Sequence, residues 1–188
     1  MLNKKFFERP TLEVARNLLG CCLINGECVG KIVETEAYLA DDPASHSFRG
    51  KTARNAAMFG LPGTAYVYFV YGNHYCFNVV TAPEGVGEAV LIRALEPLKG
   101  IGLMKKRRRR EDVLQLCNGP GKLVEAMDIK MKNNGKNLME GSLRLELRAV
   151  PGRIVSCERI GISLGKELPH RFFINGNKFV SKSKTKDI

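Results

Sequence analysis

PGTAYVYFVYGNHYCFNVV, residues 62–80, holds four of the chain's five tyrosines: Tyr66, Tyr68, Tyr71 and Tyr75. Along residues 65–70 the side chains alternate, so Ala65, Val67 and Phe69 share one face of a strand while Tyr66, Tyr68 and Val70 share the other. Gly72 and Asn73 permit a turn, and YCFNVV is the returning strand. A strand that only had to be buried would be served by aliphatic residues and Phe, because a buried phenol hydroxyl needs a hydrogen-bond partner. The tyrosine face is therefore expected to meet something flat and partly polar.

Outward from this hairpin, RPTLEVARNLLG predicts a short amphipathic helix, with Leu12, Ala15 and Leu19 on one face and Gly20 as its stop. CCLINGECVGKIVETEAY predicts a second hairpin, its turn at Asn25-Gly26, the dipeptide a two-residue type I′ turn favours. TARNAAMF suggests a short helix. EAVLIRALEP reads as a strand with Leu91, Arg93 and Leu95 opposite Val90, Ile92 and Ala94. Beyond Pro97 the pattern is helical and ends in KKRRRR, residues 105–110, six consecutive cations expected to be solvated or to meet phosphate. CNGPGKLVEAM is a glycine turn opening a helix, with Pro120 near its first position and Lys122 in its first turn. Its spacing is not that of a P-loop. It is either an ordinary helix start or a hold for one phosphate by backbone N–H groups and Lys122. SLRLEL and RFFINGNKFV close the fold as strands, the second a hairpin around Asn175-Gly176.

These elements predict an α+β fold: a single domain over residues 1–181 with a curved, mostly antiparallel sheet flanked by helices and a protruding β-hairpin. Residues 182–188 are expected to form a disordered basic tail. A chain of 188 residues, 44% of them hydrophobic, suits one sizeable core. No run approaches the roughly 18 apolar residues of a membrane span, and MLNKKFFERP lacks the apolar stretch of a signal peptide, so a soluble intracellular protein is expected. Thirty basic against 19 acidic residues give a net charge of +11, which favours a polyanionic partner, nucleic acid before an anionic membrane. The six cysteines form no C-x-x-C pair and no Cys/His cluster with zinc spacing, so they are read as reduced core thiols and no metal site is expected.

In KIVETEAYLADDPASHSFRG, strand periodicity puts Glu34, Glu36 and Tyr38 on one face, and His46 follows a short loop. Periodicity alone favours a solvent-facing strand edge with a capped loop over a general base beside an aromatic platform. Ser45, His46 and Ser47 do not sit in a G-x-S-x-G nucleophile elbow.

VETEAYLADDPASHS, RNAAMFGLPGTAYVYFVYGNHYCFNVV, AVLIRALEPLKG, CNGPGKL and RIGI, in this order and spacing, resemble the alkyladenine (3-methyladenine) DNA glycosylase family. The resemblance runs from about Arg9 to Ser181. It implies a protein that flips a damaged purine out of duplex DNA and hydrolyses its bond to deoxyribose, leaving an abasic site without strand cleavage. The expected lesions are 3-methyladenine, 7-methylguanine, hypoxanthine and ethenoadenine.

By the same resemblance, Glu36 activates the attacking water and Glu34 is a structural carboxylate. Arg93 orients the water or the sugar-phosphate. Tyr38 and Tyr68 sandwich the extruded base with His46 at the edge, Asn78 rejects the exocyclic amino group of guanine, and Leu91 lines the pocket. Tyr71 is the wedge that fills the vacated place in the stack. Tyr66 and Tyr75 are left as supporting residues. Lys122, Arg107, Arg108, Arg109 and Arg110 are candidates for the DNA backbone. No cofactor is implied, and a monomer is expected, in the cytoplasm of a bacterium or the nucleus of a eukaryote. The competing reading is a non-catalytic single-stranded DNA or RNA binder with a tyrosine-rich stacking surface, which would not depend on Glu36.

Overall fold

The longest strands carry the β-branched and aliphatic runs of the sequence, and they pair in one antiparallel sheet. In the computed structural model, which describes residues 2–70, 72, 74–148 and 152–181, these are β1 (Cys22–Asn25), β2 (Cys28–Tyr38), β3 (Ala65–Val70), β4 (His74–Thr81), β5 (Glu88–Lys99), β6 (Leu143–Glu146), β7 (Ile154–Cys157) and β8 (Arg171–Ile174). The helices are α1 (Lys4–Phe7), α2 (Thr11–Asn17), α3 (Ile101–Arg108) and α4 (Pro120–Ala126), with three short 3-10 turns between strands. The strand order is β3-β4-β5-β2-β1-β6, and β8 pairs with both β2 and β7. The chain is thus a single α+β domain with a curled antiparallel sheet.

The two faces of the sheet hold different chemistry, as the alternation in residues 65–70 requires. Ala65, Val67, Phe77, Val79, Val90 and Ile92 point into the main core, where Val14, Leu18, Leu123 and Val124 of the helical segments join them. Tyr66, Val80 and Ala89 form a smaller cluster with Met58, against which Tyr38, Phe59 and Tyr68 pack. Cross-strand pairs then carry one row across five strands: Tyr66 faces Asn78, Asn78 faces Leu91, Leu91 faces Glu36, and Glu36 faces Arg171. Side chains opposite one another in an antiparallel ladder share a face, so this register alone gathers residues from distant parts of the sequence.

Of three register shifts where β2 meets β5, two compensate each other. Ile32 pairs with Leu95 and Glu34 with Ala94, leaving Val33 extra on β2; Thr35 then pairs with Ile92, leaving Arg93 extra on β5. A bulge bends its strand and re-aims a side chain. It also breaks the two-residue period, which corrects the expectation for Leu95: this residue falls in the main core, whereas Leu91 and Arg93 do not.

Other local expectations shift. The turn between β1 and β2 is centred on Gly26 and Glu27, because Asn25 already pairs with Cys28. Only Gly26 has a positive φ, +56°, which is the preference of a turn with glycine at its first central position rather than at both. The expected hairpin around Asn175-Gly176 is absent among the described residues. β8 is already flanked by β2 and β7, and the Asn177 side chain accepts from Phe179 N–H in a local turn instead of releasing a strand. β7 was not anticipated. β5 continues through Pro97 to Lys99, and Gly100, at φ +71°, turns the chain into α3.

The arginine run also departs from expectation, since part of it packs. Arg107 donates to the Ala126 carbonyl at 2.8 Å, Arg108 pairs with Glu125, and Lys105 pairs with Glu111. Lys106, Arg109 and Arg110 remain at least partly exposed. The six cysteines form no disulfide among themselves; five are buried and Cys157 is half-buried. Among the described residues no helix is long and apolar enough to cross a membrane, and no cluster of side chains has the makings of a metal site.

Candidate active site

A cavity of about 300 Å³ opens on the tyrosine face of the sheet. Its wall includes Tyr38 from β2, His46 from the following loop, Tyr68 from β3, Asn78 from β4, and Leu91 and Arg93 from β5. Six of the sequence-predicted residues therefore converge on one space. Ile160, Gly161 and Ile162 complete it from the RIGI segment, and Pro120 contributes the start of α4.

The two glutamates of ETEAY are both fully buried, which removes the solvent-edge reading of this strand. Their surroundings differ in a way that the sequence could not show. Glu34 Oε1 accepts from Arg93 Nε at 3.2 Å, Arg171 Nε at 2.7 Å and Ser181 Oγ at 2.7 Å, while Oε2 accepts from Ser181 N–H at 2.7 Å. Three of these donors crowd Oε1 and one reaches Oε2, and of the residues that supply them only Arg93 lines the cavity. Glu36 accepts from three: Tyr38 OH at 2.9 Å and Arg93 Nη1 at 3.0 Å on Oε2, and Ile160 N–H at 2.8 Å on Oε1. One lone pair of Oε1 is left, and all three of these donors come from residues that line the cavity.

Arg93 binds both carboxylates because its bulge aims the guanidinium between them. Burial by itself disfavours its charge, yet Glu36 and Glu34 more than compensate and hold its pKa above the ordinary value. Burial first, and then the adjacent Glu36 carboxylate, push the Tyr38 phenol well up, so it stays a hydrogen-bond donor.

The rings form a connected wall. His46 meets Tyr68 edge-on at 4.4 Å between centroids, and Tyr66 lies 5.2 Å from Tyr68. Tyr66, expected only to support, also lines the cavity: it is buried, its hydroxyl bonds His46 Nδ1 at 2.9 Å, and burial raises its pKa to about 12. The Tyr68 hydroxyl is paired with the Cys76 thiol. Burial, aided by Arg54, lowers the His46 pKa and favours a neutral imidazole. Asn55, which no motif role covered, fixes this loop by donating to the His46 and Gly50 carbonyls at 2.8 and 3.0 Å. Asn78 donates to the Tyr66 carbonyl at 3.0 Å, which pins its amide in the wall. Tyr75 packs on Phe69 at 5.0 Å, away from this cavity.

Other candidates stand apart. Tyr71 lies outside the described residues, as does the tail 182–188. Lys122 Nζ bonds Asn118 Oδ1 at 2.8 Å, and partial burial, with Arg108 and Arg110 nearby, lowers its pKa. Sequence reasoning missed Arg159 and Asp42, a buried ion pair whose guanidinium lies 4.7 Å from the centroid of the Tyr38 ring. Their separation of 117 positions carries no spacing signal.

The site is thus a buried carboxylate held by three residues of a ring-walled cavity, in a strongly basic chain. The methylpurine-DNA glycosylase family model matches residues 5–178, and the chain belongs to that family. It is 51% identical to a protein of Methanoculleus marisnigri over 94% of this chain and 96% of that one. It is also 51% identical to one of Carboxydothermus hydrogenoformans, over 97% and 99%, and 50% identical to one of Francisella tularensis, over 92% and 94%. Each of these relatives is provisionally named a 3-methyladenine DNA glycosylase.

Proposed function

We propose that this chain excises alkylated and deaminated purines from duplex DNA by hydrolysing the N-glycosidic bond, with Glu36 as the base that activates water. The observation that carries this reading is the set of partners around Glu36: Tyr38, Arg93 and Ile160 each bond its carboxylate and each line the cavity. A carboxylate so held cannot rotate away, and its open lone pair on Oε1 is where a water can be bound.

In this scheme an extruded purine stacks between Tyr38 and Tyr68, against the edge of His46. Electron-rich rings suit an electron-poor alkylated base for the same quadrupole reason that they suit cations. The water oxygen bonds to C1′ as the C1′–N bond breaks; the electron pair leaves with the purine, and the water proton passes to Glu36. The developing positive charge on the sugar is stabilised by the same carboxylate. N-alkylation at N3 or N7 makes the purine a cationic leaving group, so positioning and one negative charge carry most of the work. Arg93 keeps Glu36 in place, Asn78 screens guanine, and Leu91 supplies an apolar wall.

Tyr71, by sequence between β3 and β4, is the proposed wedge in the vacated stack. Water is the nucleophile, so the product is an abasic site with an intact strand. The proposed active form is a monomer. The test is release of free base from duplexes containing 3-methyladenine, hypoxanthine or ethenoadenine, without added metal. Release by the parent and its loss in Glu36→Gln support the reading. Tight binding of undamaged single strands with no base release would favour the stacking-surface alternative.

A further inference from the structure

The charges behind the cavity wall cancel. Arg93 and Arg171 are paired with Glu34 and Glu36, and Arg159 is paired with Asp42, three guanidiniums against three carboxylates in a chain of net charge +11. Arg93 is the one Lys, Arg, Asp or Glu side chain that lines the cavity among the described residues, and its charge is met by the two glutamates.

Arg159, like Arg171, takes part in no catalytic step. Its side chain is fully buried and does not line the cavity, yet its guanidinium stands over the Tyr38 ring, 4.7 Å from the centroid. It binds both Asp42 carboxylate oxygens and donates to the Ala37 and Gly165 carbonyls at 3.0 and 3.2 Å. Tyr38 therefore already carries a cation on one face, and its ring also borders the cavity.

We propose that the Arg159–Asp42 pair sets the charge preference of the site: Asp42 cancels the cation behind Tyr38, so that a positively charged purine can stack on the face toward the cavity. This rests on the excision reading above. A stacked base would lie about 8 Å from the Arg159 guanidinium, where an uncompensated unit charge at an effective dielectric near 20 would disfavour a cationic base about thirtyfold. A neutral base such as hypoxanthine carries no net charge for that field to act on. Arg159 and Asp42 are positioning and specificity residues, since neither touches the reacting atoms.

The experiment compares two lesions in one protein. Single-turnover release of 3-methyladenine from methylated duplex is measured beside release of hypoxanthine, and the ratio of the two rates is followed in the parent, Asp42→Asn, Arg159→Gln and the double variant. A ratio is insensitive to the fraction of molecules folded. Asp42→Asn is expected to lower the cationic-to-neutral ratio about thirtyfold. Arg159→Gln should leave it at or above the parental value, and the double variant, neutral again, should restore it. Equal losses on both lesions in Asp42→Asn would reduce the pair to a structural clamp and overturn the proposal. A parent that releases neither base would instead overturn the excision reading itself.

Discussion

Glu34 and Glu36 share a single guanidinium, that of Arg93, at 3.2 and 3.0 Å, yet Glu34 has four donors around it and Glu36 three. Equal burial thus separates into one carboxylate tied to Arg171 and Ser181, which do not line the cavity, and one whose three donors all belong to its wall. Glu36→Gln is expected to lower base release by at least about 10²-fold, the usual loss when a general base is removed, with DNA binding retained. Glu34→Gln should act on stability: it leaves Arg93 and Arg171 short of a buried counter-charge, a loss of about 3–5 kcal/mol. Thermal melts and single-turnover rates on both variants separate the two, and parental release by a folded Glu36→Gln protein would remove Glu36 from the mechanism.

Asn78 is held by its bond to the Tyr66 carbonyl and cannot swing aside for a bulkier base. Asn78→Ser removes that volume from the wall, so guanine, which carries an exocyclic amino group, should be admitted and excised more readily. The check is guanine release from undamaged duplex beside hypoxanthine release. An unchanged guanine rate with hypoxanthine activity intact would exclude Asn78 as the filter.

The depressed pKa of His46 has a definite sign in stability. Its folded value lies below the ordinary 6.5, through burial and then Arg54, so the unfolded chain takes up the proton first as pH falls. The contribution is therefore complete above about 6.5 and declines below it. His170, lowered mainly by burial, adds a slope of the same sign. Melting temperature should drop from pH 7 toward pH 5, and His46→Gln should flatten that slope relative to the parent. A His46→Gln slope as steep as the parent's would assign the effect elsewhere.

The cations of residues 105–110 divide by their partners. Charge removal at Arg109 and Arg110, which are exposed, is expected to weaken binding to undamaged duplex and to reduce the salt slope by about one for each phosphate left without its cation. Arg107→Ala should instead lower stability, because the Ala126 carbonyl is deprived of its donor. Binding titrations from low to high salt decide the first, and a melt decides the second. An Arg109/Arg110 double variant with parental affinity and slope would leave this helix end as solvated surface.

The tyrosine face was legible because alternation is a local property: Tyr66 and Tyr68 needed only their neighbours. The shared face of Glu34, Glu36 and Tyr38 was legible for the same reason. What alternation could not convey was burial, since the groups that cover Glu34 come from Arg93, Arg171 and Ser181, far along the chain. Nor could it show the extra residue at Arg93, which broke the period and sent Leu95 to the core. Asn-Gly twice suggested a two-residue turn. The first lies one residue from the expected place, and the second closes no hairpin because β8 had two partners already. Choosing Glu36 over Glu34 needed the family motif at first, and afterwards the identity of the donors, all of which line the cavity at Glu36 and of which only Arg93 does at Glu34.

The buried thiols bear on how such a protein survives its own surroundings. Methylating agents that damage purines also attack thiolates, which are far better nucleophiles than thiols. Burial raises Cys21 to about 11 and Cys117 to about 12, and it raises Cys76, which lines the cavity itself, above its ordinary value. These sulfurs stay protonated at neutral pH. These three thiols are thereby poor targets for the electrophiles whose products the chain is proposed to remove.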